Sequence, residues 1–483
     1  MAGVMLSNTN IARKIQEEAL GSPLVEDDRS QSSASPAPPI IDFRKLPEFN
    51  PLNAGLGPDF RLSKFCELRG RGCRVPPGVV AKMGAGVTDM AARPTEAGES
   101  KTGMSIDCTI TPIRKGGLCI VSNTDMFYPI LDDPYIMGRV AAISLLSDMY
   151  ATGVVDVDNI LMYLGISSKL TQPERDTIIP LMIKGFQDAA REAGTRVSGG
   201  QTILNPWMMM GGVATSICSP EEYIVPQSAQ AGDVLVLTKP LGTGVAINCH
   251  QWLHTDRMTK LKMVVTEEEV KKAYRRAVEV MGRSNRAAAR LLHKYNAHAA
   301  TDIAGLGLLG HASHLASVQK NEVNFVVHNL PVIAKMASVA KSYGNMFNLA
   351  QVRVLVTSLL DLLSQCCAIV IGRWSVHSST AEAACMQLHI FVKVVLVLDK
   401  TFLSLYSDCI AVILQGEASE CSGGLLICLP REQAAAFCKD IEKVEGCQSW
   451  IVGIVESGPR AAKVIDKPRI IEVPSKEKPD ELW

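Results

Sequence analysis

From about residue 104 onward, short β-branched runs alternate with helix-length segments, and this rhythm limits the chain to folds that layer helices against a sheet. "LCIVSNTD" is strand-like, "IMGRVAAISLLSDMYATG" has helical periodicity and a glycine stop, and "NILMYLGI" is again strand-like. "ERDTIIPLMIKGFQDAAREAG" is an amphipathic helix closed by Gly194, and "WMMMGGVATSIC" returns to a strand. A second unit opens at "AGDVLVLTKPLGTG", runs through a long helical tract, a Gly-rich turn and another helix over 270–316, and ends in "NFVVHNLPV", "GGLLICLP", "QAAAFCKDI", "SWIVGIVES" and "PRIIEV". At 483 residues the chain is long enough for two or three domains of an α/β or α+β class.

Two stretches break the rhythm. Residues 1–57 include "SPLVEDDRSQSSASPAPP", too polar and too rich in Ser and Pro to repay ordering, and are expected to be a disordered extension. Residues 350–414 are apolar and β-branched without clear punctuation; Asp361, Lys393, Asp399, Lys400 and Asp408 interrupt them, which argues against a membrane span. Basic and acidic residues balance at 49 each, so bulk electrostatics favour neither nucleic acid nor a membrane surface as partner. No apolar run follows a basic start in the first thirty residues, and the fourteen cysteines form no CxxC pair; both features suit a cytoplasmic chain with free thiols.

Four aspartates fall where strands or helices meet turns: Asp107 in "MSIDCTI", Asp125 in "SNTDMF", Asp148 in "SLLSDMY" and Asp302 in "HAATDIAG". Magnesium with phosphate needs hard carboxylate oxygens gathered from several segments, so the set is chemically suitable; helix caps and turn formers are the plainer explanation. The glycines of "VSGGQT" (Gly199, Gly200, Gln201, Thr202) can let backbone amides approach a phosphate or base, or can simply turn the chain between strands. "KPLGTG" at 239–244 is equally ambiguous and lacks P-loop order. His298, His311 and His314 surround Asp302 but lack the spacing of a zinc helix, and Met208, Met209 and Met210 suit packing.

The motifs "ELRGRGCRVP", "DPYIMGRVAAISLLSDMYATGV", "VSGGQTILNPW", "GDVLVLTKPLGT", "NAHAATDIAGLGLLGHA", "HNLPV" and "SGGLLICLPREQ" together closely resemble the selenophosphate synthetase (selenide, water dikinase) family, most of all its animal paralogue without a catalytic cysteine or selenocysteine. The resemblance covers about residues 58–349 and 415–472. It implies an α+β, two-domain fold like that of aminoimidazole ribonucleotide synthetase (PurM-like), with an N-terminal dimerising, ATP- and metal-binding domain at 58–225, a C-terminal α/β domain at 226–472 interrupted at about 350–414, and a flexible tail at 473–483. It further implies Mg2+, ATP as substrate, and a homodimer or a heterodimer with a catalytically competent paralogue. Asp107, Asp148 and Asp302 match the magnesium-binding aspartates; Asp125 and Asp148 match ATP contacts, as do Ser105, Ile106 and the Gly199–Thr202 turn. The family reaction turns ATP, selenide and water into selenophosphate, AMP and phosphate.

The departures concern the Gly-rich catalytic-type loop, "FCELRGRGCRVPPG" at 65–78. Arg71 occupies the position of the reactive cysteine or selenocysteine, Cys73 that of a second cysteine, and Arg74 that of a lysine. A guanidinium stays protonated and has no nucleophilic lone pair, so Arg71 cannot hold or deliver selenium, whereas Arg74 retains the charge for a phosphate contact. The alternative is a nucleotide-binding regulatory paralogue that acts through dimerisation. The 350–414 segment has no counterpart in the pattern, and its flanks join cleanly without it.

Overall fold

The computed structural model describes residues 49–66, 70, 108–114, 116–253, 255–342 and 420–475. Most of the 1–57 extension, most of the 65–78 loop and the whole 350–414 segment therefore lie outside the described residues. The part of the extension that is described, from Phe49, is not a loose tail: it folds onto the N-terminal unit, with Leu56 buried in its core and Phe49 and Ala54 packed against it.

The first sheet has the order β1-β2-β5-β3-β4, built from β1 (Thr109–Pro112), β2 (Cys119–Phe127), β3 (Asn159–Ser167), β4 (Val197–Asn205) and β5 (Met209–Cys218). Two helices cover it, α1 (Pro134–Ala151) between β2 and β3, and α2 (Gln172–Glu192) crossing from β3 to its parallel neighbour β4. Asp133 starts α1, its carboxylate accepting from the Ile136 amide at 3.0 Å, with Pro134 next in the first turn. Thr171 and Glu174 form a capping box on α2, and Gly194 ends that helix in the left-handed region.

The two helices cross closely at glycines. A Cβ on Gly138 would collide with the Met182 carbonyl, and one on Gly185 with that of Tyr135. α1 is buried on nearly every side, its polar Arg139, Ser144, Ser147 and Asp148 included, so helix periodicity there marks length more than an exposed face.

The second sheet runs β11-β8-β10-β6-β9-β7, from β6 (Val234–Leu237), β7 (Ala299–Asp302), β8 (Val323–Ile333), β9 (Leu425–Leu429), β10 (Trp450–Ser457) and β11 (Ala462–Val473). Its helices are α3 (Thr243–Gln251), α4 (Arg257–Leu261), α5 (Glu267–Gly282), α6 (Arg286–Lys294), α7 (Gly307–Ser317), α8 (Met336–Ser342) and α9 (Arg431–Glu445). The expected single long helical tract is two helices, α5 and α6, because Gly282, Ser284 and Asn285 break it, and "AATD" is the short strand β7. One continuous core joins α1 and the first sheet to α3, α5 and the second sheet. Among the described residues, no helix is long and apolar enough to cross a membrane.

Candidate functional site

The seam between the two sheets is where α1 packs against β7. Asp148, three residues from the end of α1, is 1% exposed, and Asp302, the last residue of β7, is 0% exposed. The buried amide of Asn285 donates to Ser147 Oγ at 2.9 Å and to the Gly423 carbonyl at 3.0 Å. The neighbouring Gly424 carbonyl accepts from the Ile303 amide at 2.8 Å. One side chain thus holds the residue before Asp148 to the glycine pair beside Asp302.

Asp125 approaches the same helix from β2. Ser144 Oγ donates to Asp125 Oδ2 at 3.4 Å, and Ser144 lies four residues before Asp148, on the same face of α1. Asn123 donates from Nδ2 to the Leu145 carbonyl at 2.9 Å and pins strand to helix. None of these three aspartates caps a helix: Asp125 is within a strand, Asp148 within a helix and Asp302 at a strand end, so the cap explanation fails for all of them.

A buried lysine lies near Asp302. Lys239, where β6 ends, donates from Nζ to the carbonyls of Arg283 (2.5 Å) and Ser422 (3.3 Å). Burial, then the nearby Arg283 guanidinium, push its pKa down to about 7, against the pull of Glu445 and Asp302. Beside it, the Glu420 carboxylate accepts from the amides of Gly242 (2.6 Å) and Thr243 (3.0 Å) and from the Thr243 hydroxyl. Burial raises the Glu420 carboxyl above its ordinary value, partly offset by the bonds from Thr243 and Gly242. The "KPLGTG" amides that could have cradled a phosphate are therefore filled by the protein's own carboxylate at the start of α3.

The strap 420–424 also reaches the catalytic-type loop. Gly70 pairs with Tyr128, each amide donating to the other's carbonyl at 3.0 and 3.2 Å. Its φ of 53° suits glycine, and a Cβ there would run into Cys421 Sγ. Arg71, Cys73, Arg74, Ser105, Ile106 and Asp107 lie outside the described residues.

Gly199, Gly200, Gln201 and Thr202 form no turn. They are the exposed middle of β4, the edge strand, extended by parallel pairing with β3. Gly200 is required there because a Cβ would strike the Met162 carbonyl. Register runs straight across the sheet from Asp125 through Gly212 and Met162 to Gly200. Three strand spacings, about 14 Å, therefore separate these glycines from Asp125 within one chain.

The half-buried Asp125 and the buried Asp148 and Asp302 offer hard carboxylate oxygens, the donor type that suits a hard cation. Among the described residues, however, no three His, Cys, Asp or Glu side chains stand together closely enough to hold a metal ion. Two of the histidines are tied into the structure: His298 pairs with Asp233 at 2.8 Å, and His311 Nε2 accepts from the Ala304 amide at 3.3 Å. Met208 and Met210 are core residues.

Comparison with known proteins places the chain in a family. Residues 105–218 match the AIR synthase related protein N-terminal domain, and residues 230–466 match its C-terminal domain. Human "Selenide, water dikinase 2" is 44% identical over 474 residues, covering 92% of this chain and 91% of that protein. The chain belongs to the selenide, water dikinase family. Its relative in Dictyostelium discoideum, "Selenide, water dikinase", is 36% identical, with 86% of this chain and 94% of that protein covered. Among solved structures, thiamine monophosphate kinase from Aquifex aeolicus is similar at 16% identity, covering 81% of this chain and 98% of that one, with a TM-score of 0.46. The PurM-like, two-domain α+β fold expected from the sequence is the fold of this dikinase-family chain.

Sequence reasoning missed Asn285 and Glu420, and met Lys239 only as the first residue of "KPLGTG". Their signals were weak: a break between two helices, a lysine leaving a fully apolar strand, and a glutamate shortly before a glycine pair.

Proposed function

We propose that this dikinase-family chain binds ATP with Mg2+ at the seam, using Asp107, Asp148 and Asp302 for the metal and Asp125, Asp148, Ser105, Ile106 and Arg74 for the nucleotide. The observation that carries the reading is the Asn285 bridge, which ties the Ser147 hydroxyl, next to Asp148 on α1, to the Gly423 carbonyl of the second sheet's strap. Carboxylates held this way are preorganised for a cation, and the amide bracket keeps them in place without reorganisation. Mg2+ at these oxygens would neutralise and orient phosphate oxygens. In the chain itself, the Gly242–Thr243 turn stays closed on Glu420, so the phosphates are met at the aspartates and Arg74.

Gly199–Thr202 is about three strands from Asp125 in one chain, so a second copy, pairing through the exposed β4, would bring these residues to the nucleotide. The protein then works as a homodimer, or as a heterodimer with a competent paralogue, in the cytoplasm, without nucleic acid or membrane partners.

Arg71 stands where relatives that make selenophosphate carry a cysteine or selenocysteine, so selenide transfer is impaired while nucleotide binding persists. A second reading follows from the same residue: a nucleotide-binding regulatory paralogue with no selenide activity. Following AMP and phosphate release from ATP, with and without selenide, tests the assignment of Arg71 on which both rest. Selenide-independent release or none is expected, with Arg71→Cys restoring selenide-dependent AMP; selenide-dependent AMP formation by the unaltered chain would overturn the assignment of Arg71.

A further inference from the structure

Cys119 opens β2 and Cys218 closes β5, and the antiparallel register places them directly opposite one another. Directly opposed residues on neighbouring antiparallel strands point to the same face, with Cα atoms about 4.5–5.5 Å apart. That interval lies inside the roughly 4.4–6.8 Å that a disulfide spans. Both side chains are thiols here, 7% and 2% exposed. They sit at the end of the sheet, where the Tyr223 hydroxyl lies 3.5 Å from Cys119 Sγ.

The surroundings give the two sulfurs different roles. Burial pushes the Cys218 thiol up, so it remains protonated and unreactive by itself. The hydrogen bond with Cys119, followed by burial, pushes Tyr223 up to about 12, so its hydroxyl stays protonated at neutral pH and can donate to a sulfur that is losing its proton. Cys119 is the more exposed of the pair and has that donor beside it.

We propose that Cys119 and Cys218 are a redox-active dithiol that closes into a cross-strand disulfide by exchange with a low-molecular-weight disulfide. The Cys119 thiolate attacks one sulfur of the small disulfide; its S–S bond breaks, and one small thiol leaves carrying the proton that Cys119 has lost. Cys218 then attacks the Cys119 sulfur of the mixed disulfide, the second small thiol leaves with the Cys218 proton, and the protein's S–S bond forms. Two protein thiols are oxidised and one small disulfide is reduced to two thiols, so the exchange balances and is reversed by excess thiol. The bond would join β2, which carries Asp125, to β5, which carries its register partner Gly212.

The test uses the full chain incubated with oxidised glutathione, followed by alkylation of the remaining thiols, digestion without reduction and mass mapping. A linked peptide pair joining Cys119 to Cys218, lost on treatment with dithiothreitol, is expected. Cys119→Ser and Cys218→Ser should each abolish that pair, and Tyr223→Phe should slow its formation several-fold with an unchanged thermal midpoint. Because the mapping on the unaltered chain does not depend on the variants, a poorly folding variant does not obscure it. Recovery of both cysteines alkylated, or a glutathione adduct on Cys119 that never resolves onto Cys218, would overturn the proposal.

Discussion

Two regions resemble nucleotide-contacting segments of the family, and the fold treats them in opposite ways. The seam buries Asp148 and Asp302; Asn285 ties Ser147 to Gly423, and Lys239 and Glu420 hold the neighbouring 420–424 strap. The β4 edge leaves Gly199–Thr202 exposed, with Ile203 50% and Leu204 59% exposed beside them. Buried groups are positioned by this chain alone, at the cost of satisfying every polar atom. The exposed strand edge has backbone groups and apolar area still to satisfy, and a second copy is what such an edge is able to take.

The contrast can be broken most strongly at the strap. Glu420→Ala removes the acceptor for two buried amides and a hydroxyl, and unfolding free energy should fall by about 3 kcal/mol in denaturant titrations. Glu420→Gln, which keeps an acceptor, should lose less. Lys239 tests the seam through pH. Its folded-state pKa, about 7, lies below the unfolded value, so between these two the unfolded chain binds the additional proton and stability rises with pH. The rise is at most about 1.4 kcal/mol per pH unit above neutrality, and Lys239→Met should flatten it in melts taken at successive pH values. Asn285→Ala leaves the Gly423 carbonyl and Ser147 hydroxyl without that donor and should cost about 2 kcal/mol.

At the edge the effects on stability are smaller. Gly200→Ala forces a methyl onto the Met162 carbonyl and should cost about 1 kcal/mol or more, read from the thermal midpoint. Ile203→Lys should change monomer stability by less than about 0.5 kcal/mol, yet shift the chain towards monomer in sedimentation. A large loss of stability from Ile203→Lys without a change in mass would erase the distinction between the regions.

Most strands and helices around the seam were legible because they are apolar and punctuated: Gly194 marks a helix end, and the "VLVL" and "LLICL" runs are fully buried strands, whereas the four-residue β7 was hidden behind a helical tract. The aspartates were legible by type but not by place, since only tertiary contact shows that Asp148 on a helix and Asp302 on a strand meet at one seam. "VSGGQT" reads as a turn because glycine pairs usually turn the chain; here close approach to the Met162 carbonyl on β3 selected glycine within a strand. The role of Glu420 was invisible because its partners, Gly242 and Thr243, are 178 and 177 residues away in sequence.

The central claim is that buried carboxylates at the seam hold ATP through magnesium. Equilibrium binding of ATP to the full chain, with and without Mg2+, should show magnesium-dependent affinity that falls about tenfold or more in Asp148→Asn and Asp302→Asn, a loss of roughly 1.4 kcal/mol or greater. Equal ATP affinity in the unaltered chain and both variants, or affinity indifferent to Mg2+, would contradict it.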